Sequence, residues 1–276
     1  MPQIILDAVI DTVKALPFLF GAYLLIEYLE RRANDKFARI LSGPLGPIGG
    51  AVLGCVPQCG FSVAAANFYA GRLISPGALI AVFLATSDEA VPLLLAEPQA
   101  FPDLFLLLGV KLASAAVFGL LIDLICKRVW KLTPEKPFQE LCGHCHCEEG
   151  IFRAALHHTG GVALVLFFVS LFLGLIIYFV GEENIALLLL SGNVFQPFLT
   201  ALIGFIPNCA ASVILTRLFL GGALSFGSTV AGLCTGAGLG LIVLFRTNRH
   251  MKENFLLVGA LYFGAVLTGL ICNLVF

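Results

Sequence analysis

Charge is scarce in this chain. Only 12% of its 276 residues are Asp, Glu, Lys or Arg, where a soluble domain carries about 25%. With 59% hydrophobic residues and a mean hydropathy of +0.99, the chain must be solvated by lipid. The net charge of -1 gives no sign of a nucleic-acid or acidic partner. The first apolar run, Ile4 to Ile26, lacks the basic n-region of a signal peptide and carries Asp7 and Asp11 instead; it is read as a membrane span. No Gly-x-x-x-x-Gly-Lys-Ser/Thr loop occurs, so ATP would have to come through a partner. No C-x-x-C pair stands in a thioredoxin-like setting. The nine cysteines are not the even set of a disulfide framework. Cys55, Cys59, Cys209, Cys234 and Cys272 lie inside apolar segments, and Cys142, Cys145 and Cys147 crowd one loop. Free thiols and metal ligation fit that distribution better.

What is present is a repetition. Gly54-Cys55-Val56-Pro57-Gln58-Cys59 and Gly204-Phe205-Ile206-Pro207-Asn208-Cys209 each set a proline, an amide and a cysteine inside an apolar segment. Proline removes a backbone donor and clashes with the preceding turn, so each is a helix break. The offset is 207 − 57 = 150, and it holds without a gap. Ser62-Val63 pairs with Ser212-Val213, Gly71 with Gly221, Ser75 with Ser225, Gly77 with Gly227, Gly109 with Gly259, and Gly119-Leu120 with Gly269-Leu270. Each half reads as a long span (Ile4–Glu27; His158–Val180), a broken segment (Leu41–Gly71; Leu190–Gly221) and two further spans (Gly77–Ala96 and Leu104–Cys126; Gly227–Phe245 and Phe255–Val275). This divides the chain into a first membrane repeat (1–126), a Cys/His-rich loop (127–153) and a second membrane repeat (154–276).

Charge parity orients the repeats. Arg31, Arg32, Lys36 and Arg39, then Lys127 to Arg153, then Arg246, Arg249 and Lys252 mark three basic loops, while the opposite loops hold Glu97, Asp103, Glu182 and Glu183 and no Lys or Arg. The positive-inside rule makes the basic loops cytoplasmic. They agree only if each broken segment returns to its starting side, as a re-entrant hairpin or two short spans. The expected fold is an all-α polytopic membrane protein of two inverted repeats, each with one broken hairpin and three long helices. Both termini lie outside, the central loop is cytoplasmic, and the hairpin tips meet near the midplane.

Three groups of residues carry candidate chemistry. The tips offer Cys55, Gln58, Cys59, Ser62, Asn208, Cys209 and Ser212, with Pro57 and Pro207 making the breaks. Thiolates suit soft cations and amide or hydroxyl oxygens suit harder ones; the plain alternative is that they only pack and bridge helices. The second group is Thr86-Ser87-Asp88-Glu89. At 1.5 Å per residue Asp88 lies about 16 Å along the helix from Gly77, near mid-bilayer. Acids at that depth are functional by default, for cation binding or proton coupling, unless they form a neutralised pair or a partner for Lys111. The second half answers with Gly236-Ala237-Gly238-Leu239, without acids, beside Cys234 and Thr235. The third group, Cys142, His144, Cys145, His146 and Cys147 with Glu148 and Glu149, makes a flexible metal trap or an ordinary linker. Arg217 and Lys111 lie near outer span ends and are expected to snorkel. Asp123 and Asn273, repeat partners, are expected to cap or pack.

The Pro-Gln-Cys and Pro-Asn-Cys hairpins, the Ser-Asp-Glu within a span and the Cys/His-rich central loop resemble the ten-span heavy-metal exporters, whose members carry the labels arsenic efflux protein or manganese transporter. The resemblance covers essentially the whole chain. It implies a polytopic transporter, not an enzyme, with no catalytic pattern and no tightly bound cofactor. The expectation is a proton-coupled secondary exporter of a manganese-like cation or arsenite-like metalloid in the cell (inner) membrane. A membrane thiol-disulfide oxidoreductase and a membrane metal sensor are the alternatives.

Overall fold

A computed structural model of the chain describes residues 45–56, 59–86, 90–126, 195–207 and 209–276, with scattered helical residues between 6 and 24 and between 156 and 172. Every regular element among them is helical. The first half supplies α1 (Gly46–Gly54), α2 (Cys59–Ala70), α3 (Pro76–Ala85), α4 (Ala90–Ala96) and α5 (Phe101–Ile125). The second supplies α6 (Gln196–Gly204), α7 (Cys209–Leu220), α8 (Phe226–Thr235), α9 (Leu239–Thr247) and α10 (Met251–Val275). Four of the five pairs begin and end 150 residues apart, as in 196 − 46 and 275 − 125.

The same local chemistry starts the paired helices. Ser75 Oγ accepts from Ala78 N at 3.1 Å to open α3, and Ser225 Oγ accepts from Ser228 N at 3.2 Å to open α8. An N-cap hydroxyl satisfies an amide that the first turn leaves without an intrahelical acceptor. Asp123 and Asn273 complete these caps from the neighbouring helix. Asp123 Oδ1 accepts from Gly77 N at 2.7 Å, its Oδ2 accepts from Ser75 Oγ at 2.6 Å, and Asn273 Oδ1 accepts from Gly227 N at 3.0 Å.

Within each half the pattern of packing also repeats. α3 lies against α1 and α5, and α8 lies against α6 and α10. The helices come very close where glycines face each other: a Cβ on Gly119 would sit 2.7 Å from the Gly77 carbonyl, and one on Gly269 would sit 2.5 Å from that of Gly227. Between the halves the contacts are reciprocal. α2 packs on α9 while α7 packs on α4, and α3 meets α10 while α8 meets α5. The packing between the halves thus follows the same pairing of elements as the repeat in the sequence.

Four described segments are long and apolar enough to cross a membrane: Pro76–Ala96, Pro98–Ile125, Phe226–Thr247 and Met251–Val275. They mark the chain as membrane-embedded. Two are broken at matching places, between α3 and α4 and between α8 and α9, where continuous spans were expected. These broken spans are 80% and 78% buried, against 22% and 44% for the unbroken ones. Backbone freed from helical hydrogen bonds is tolerated at membrane depth only inside protein or beside a wet cavity, and the fold puts the breaks inside. The unbroken α5 turns Phe105, Val117 and Leu124 outward, more than half exposed, as a lipid-facing helix does. The hairpin arms α1 and α2 have 9 and 12 residues. At 1.5 Å per residue they reach about 14 and 18 Å, well short of a bilayer core of about 30 Å.

Candidate functional site

Each span break lies against the hairpin of its own half. Gly54, the last residue of α1, abuts Val82 and Ala85 just before the first break; a Cβ there would come 2.7 Å from the Ala85 methyl. Gly204, the last residue of α6, abuts Gly232 and the Thr235 hydroxyl before the second. The Thr235 hydroxyl fastens that junction by donating to Ala201 O on α6 at 2.7 Å. The hairpins also reach across to the other half. Gly240, at the start of α9, is pressed onto Ser62 of α2, with room for no Cβ: one would stand 2.8 Å from the serine's own. Ser62 is fully buried.

The two breaks are joined by one side chain. Lys111, on α5, is fully buried, and its ammonium donates to the carbonyls of Thr86 and Leu233, the latter at 2.7 Å. Thr86 is the residue past the end of α3, and Leu233 lies in the last turn of α8. The Leu233 carbonyl belongs to a helix C-terminus, where the macrodipole leaves about half a negative charge, while Thr86, at ψ 130°, turns its carbonyl off the α3 axis. The Leu233 carbonyl is available because the chain turns away: Ala237 N, which an unbroken helix would aim at it, donates instead to Thr235 O at 2.7 Å. Gly238, with φ +54°, completes that turn in a conformation few other residues adopt. Ser114, one turn on, donates its hydroxyl to Lys111 O at 3.1 Å.

This corrects the reading of Lys111 as a snorkelling end residue. The expected span began at Leu104, which made Lys111 look shallow, but α5 begins at Phe101 behind a 3-10 turn from Pro98. Lys111 is its eleventh residue, about 15 Å along the helix at 1.5 Å per residue. Pro102 in the first turn was the signal that the helix starts earlier. Asp123 and Asn273 take the capping role expected of them, and Arg217 is exposed.

Of the other residues singled out in the sequence, Cys55 is half-buried just past α1, Ser62 is locked against Gly240, and Thr86 stands just past the end of α3. Pro207 stands in the bend between α6 and α7, and Ser212 is half-buried on α7. Pro57, Gln58, Ser87, Asp88, Glu89, Asn208, the side chains of Cys59 and Cys209, and the loop residues Cys142, His144, Cys145, His146 and Cys147 lie outside the described residues. Among the described residues no group of three His, Cys, Asp or Glu side chains is arranged to hold a metal ion.

A second contact ties the halves at one end of the fold. The Arg72 guanidinium, just past α2, pairs with Glu253 in the first turn of α10 at 3.0 Å. Tyr69 OH donates to the same carboxylate oxygen at 3.1 Å, and Arg72 lies over the Tyr69 ring at 5.5 Å. Arg72 holds φ +59°, whereas its repeat partner, 150 residues on, is Gly222 at φ +73°. The second half thus uses the residue that this backbone favours, and the first accepts strain to place a guanidinium.

A scan against family models and searches of curated proteins and of solved structures find no match to this chain.

Proposed function

We propose that this chain is a secondary transporter that exports a transition-metal cation or an arsenite-like metalloid, with the substrate handled where the two hairpins meet the two span breaks. The observation that carries the reading is the pairing of breaks. The same span is interrupted at the same register in both halves, and both broken ends converge on Lys111. Discontinuous helices in corresponding places of two halves form midplane substrate sites in transporters built from repeats.

The inverted arrangement follows from charge parity and gains support from the Arg72–Glu253 pair. That contact brings the end of the first hairpin beside Arg249 and Lys252, which flank the start of α10. Both belong on the cytoplasmic side if each hairpin returns to its starting face. The ten spans implied by the resemblance belong to the same proposal.

Mechanistically, the tips and breaks supply a donor set of two kinds. Cys55, Cys59, Cys209 and Cys234 suit a soft metalloid, while Gln58, Asn208, Ser62, Ser212, Thr86 and Ser87 offer oxygens to a harder ion. Asp88 and Glu89 carry the coupling proton or bind a cation directly. Movement of one half against the other exposes the site to either face, and protonation of the acids favours release. The Cys142–Cys147 loop gathers metal at the cytoplasmic entrance.

The test is elemental analysis of cells lacking the protein, expressing it, or expressing Asp88→Asn. Export predicts that one element falls several-fold with the wild type and returns to the level of the deletion with the variant. If every element stays level in all three, the exporter reading is lost. Uptake of that element into proteoliposomes separates a transporter from a sensor.

A further inference from the structure

Helix C-termini that end inside a membrane protein present carbonyls with no intrahelical donor, and transporters commonly place a monovalent cation there. This fold brings two such ends together, one from each half. It also supplies its own occupant, for the Lys111 ammonium reaches both carbonyls, Thr86 O and Leu233 O, with no exposure to solvent. We propose that Lys111 is a tethered cation, filling between the two span breaks a site that the half-helix ends would otherwise offer to a dissolved monovalent ion.

The Leu233 end supports this assignment. A helix C-terminus carries roughly half a unit of negative charge toward an ammonium placed on it, and Thr86 O, freed from the helix at ψ 130°, adds a second carbonyl from the other half. The asymmetry of the repeat fits as well. The partner of Lys111, at 111 + 150, is Leu261, also fully buried. One cation serves both breaks, and a second from the symmetric position would place like charges in the same low-dielectric junction, at a cost. The tether spans the halves, since Lys111 belongs to the first and Leu233 to the second. A transported cation entering this junction must displace the ammonium or bind beside it. A covalently attached ion cannot dissociate, so this one position would not serve as a sodium or potassium coupling site.

The inference rests on reading this junction as part of a transport site, but its test does not require transport. The purified protein is unfolded thermally in detergent with sodium, potassium, methylammonium or the bulky N-methyl-D-glucamine as the sole added cation. Wild type should show one midpoint in all four. Lys111→Gln, which keeps a donor but removes the charge, should fall by about 5–10 °C in N-methyl-D-glucamine. It should regain about half of that loss in methylammonium or a small metal cation, because a ligand that binds only the folded state raises the midpoint by mass action. Lys111→Arg should remain indifferent to the added cation. Should Lys111→Gln yield no folded protein, the comparison moves to Lys111→Arg and Lys111→Met. Folded, cation-indifferent Arg protein with Met protein lost or cation-dependent supports the tether. A Lys111→Gln or Lys111→Met protein with the wild-type midpoint, or a loss that no cation restores, overturns it, as does loss of both the Arg and Met proteins. A tether upheld here beside cells whose metal content never changes would refute export alone.

Discussion

Gly77 has no space for even a methyl group. A Cβ there would run into the Gly119 carbonyl and the Asp123 carboxylate, the latter at 2.6 Å. Gly77→Val must therefore separate α3 from α5 and disturb the cap that Asp123 provides. Overpacking of this kind costs about 1–3 kcal/mol, read as a lower thermal midpoint in detergent. Gly109 on the same α5 is the control, since a Cβ there meets nothing within 4 Å. Gly109→Ala should leave the midpoint unchanged or raise it slightly, since the helix-propensity difference adds at most about 1 kcal/mol of stability. Both glycines were visible as repeat partners of Gly227 and Gly259, yet the sequence does not distinguish a glycine needed for close approach from one facing open space. Lys111 shows the same limit. Its residue type marked it as costly in a membrane, but its depth depended on where the helix began, and a shift of three residues, from Leu104 to Phe101, turns a shallow lysine into a central one.

The elements were more legible than their interruptions. The expected spans Leu104–Cys126 and Phe255–Val275 correspond to α5 (Phe101–Ile125) and α10 (Met251–Val275), because long apolar runs bounded by charge or proline leave little choice. The separation of α1 from α2 and of α6 from α7 was legible too, through Pro57 and Pro207 in the sequence. The span breaks were only half so: Gly236 and Gly238 advertised flexible backbone in the second half, while in the first the chain leaves the helix at Thr86, whose ψ of 130° no glycine or proline announces. At this scale the Arg72–Glu253 pair offers a test. Both side chains are mostly covered, at 16% and 19% exposure, so some coupling should survive solvent screening. A double-mutant cycle with Arg72→Ala and Glu253→Gln should give roughly 1 kcal/mol. Arg72→Gly should cost less than Arg72→Ala, because glycine relieves the φ of +59°. Equal losses would mean that the backbone there is not strained.

Across the whole molecule, the 150-residue offset read from Pro57 and Pro207 is also the offset of the paired helices. A repeat is legible because it compares the sequence with itself and needs no energy estimate. The inversion of one half relative to the other depends instead on which face each loop occupies, and that is tested directly. Single cysteines placed at Lys131 and at Phe276 in a cysteine-depleted background should react on opposite faces of right-side-out vesicles. The impermeant thiol reagent should label the terminal site at once, and the loop site only after lysis. Labelling of both from outside would abolish the proposed topology.

The Arg72–Glu253 pair also bears on where the proposed transport cycle would rest. At the related positions of the repeat stand Gly222 and Asp103, and glycine has no side chain with which to answer a carboxylate. In the proposed cycle, parting the halves at the Arg72 end breaks this ion pair, while Gly222 can form none with Asp103. On that reading the two ends are unequal doors, one latched and one merely shut, and the proposed cycle has a preferred place to wait.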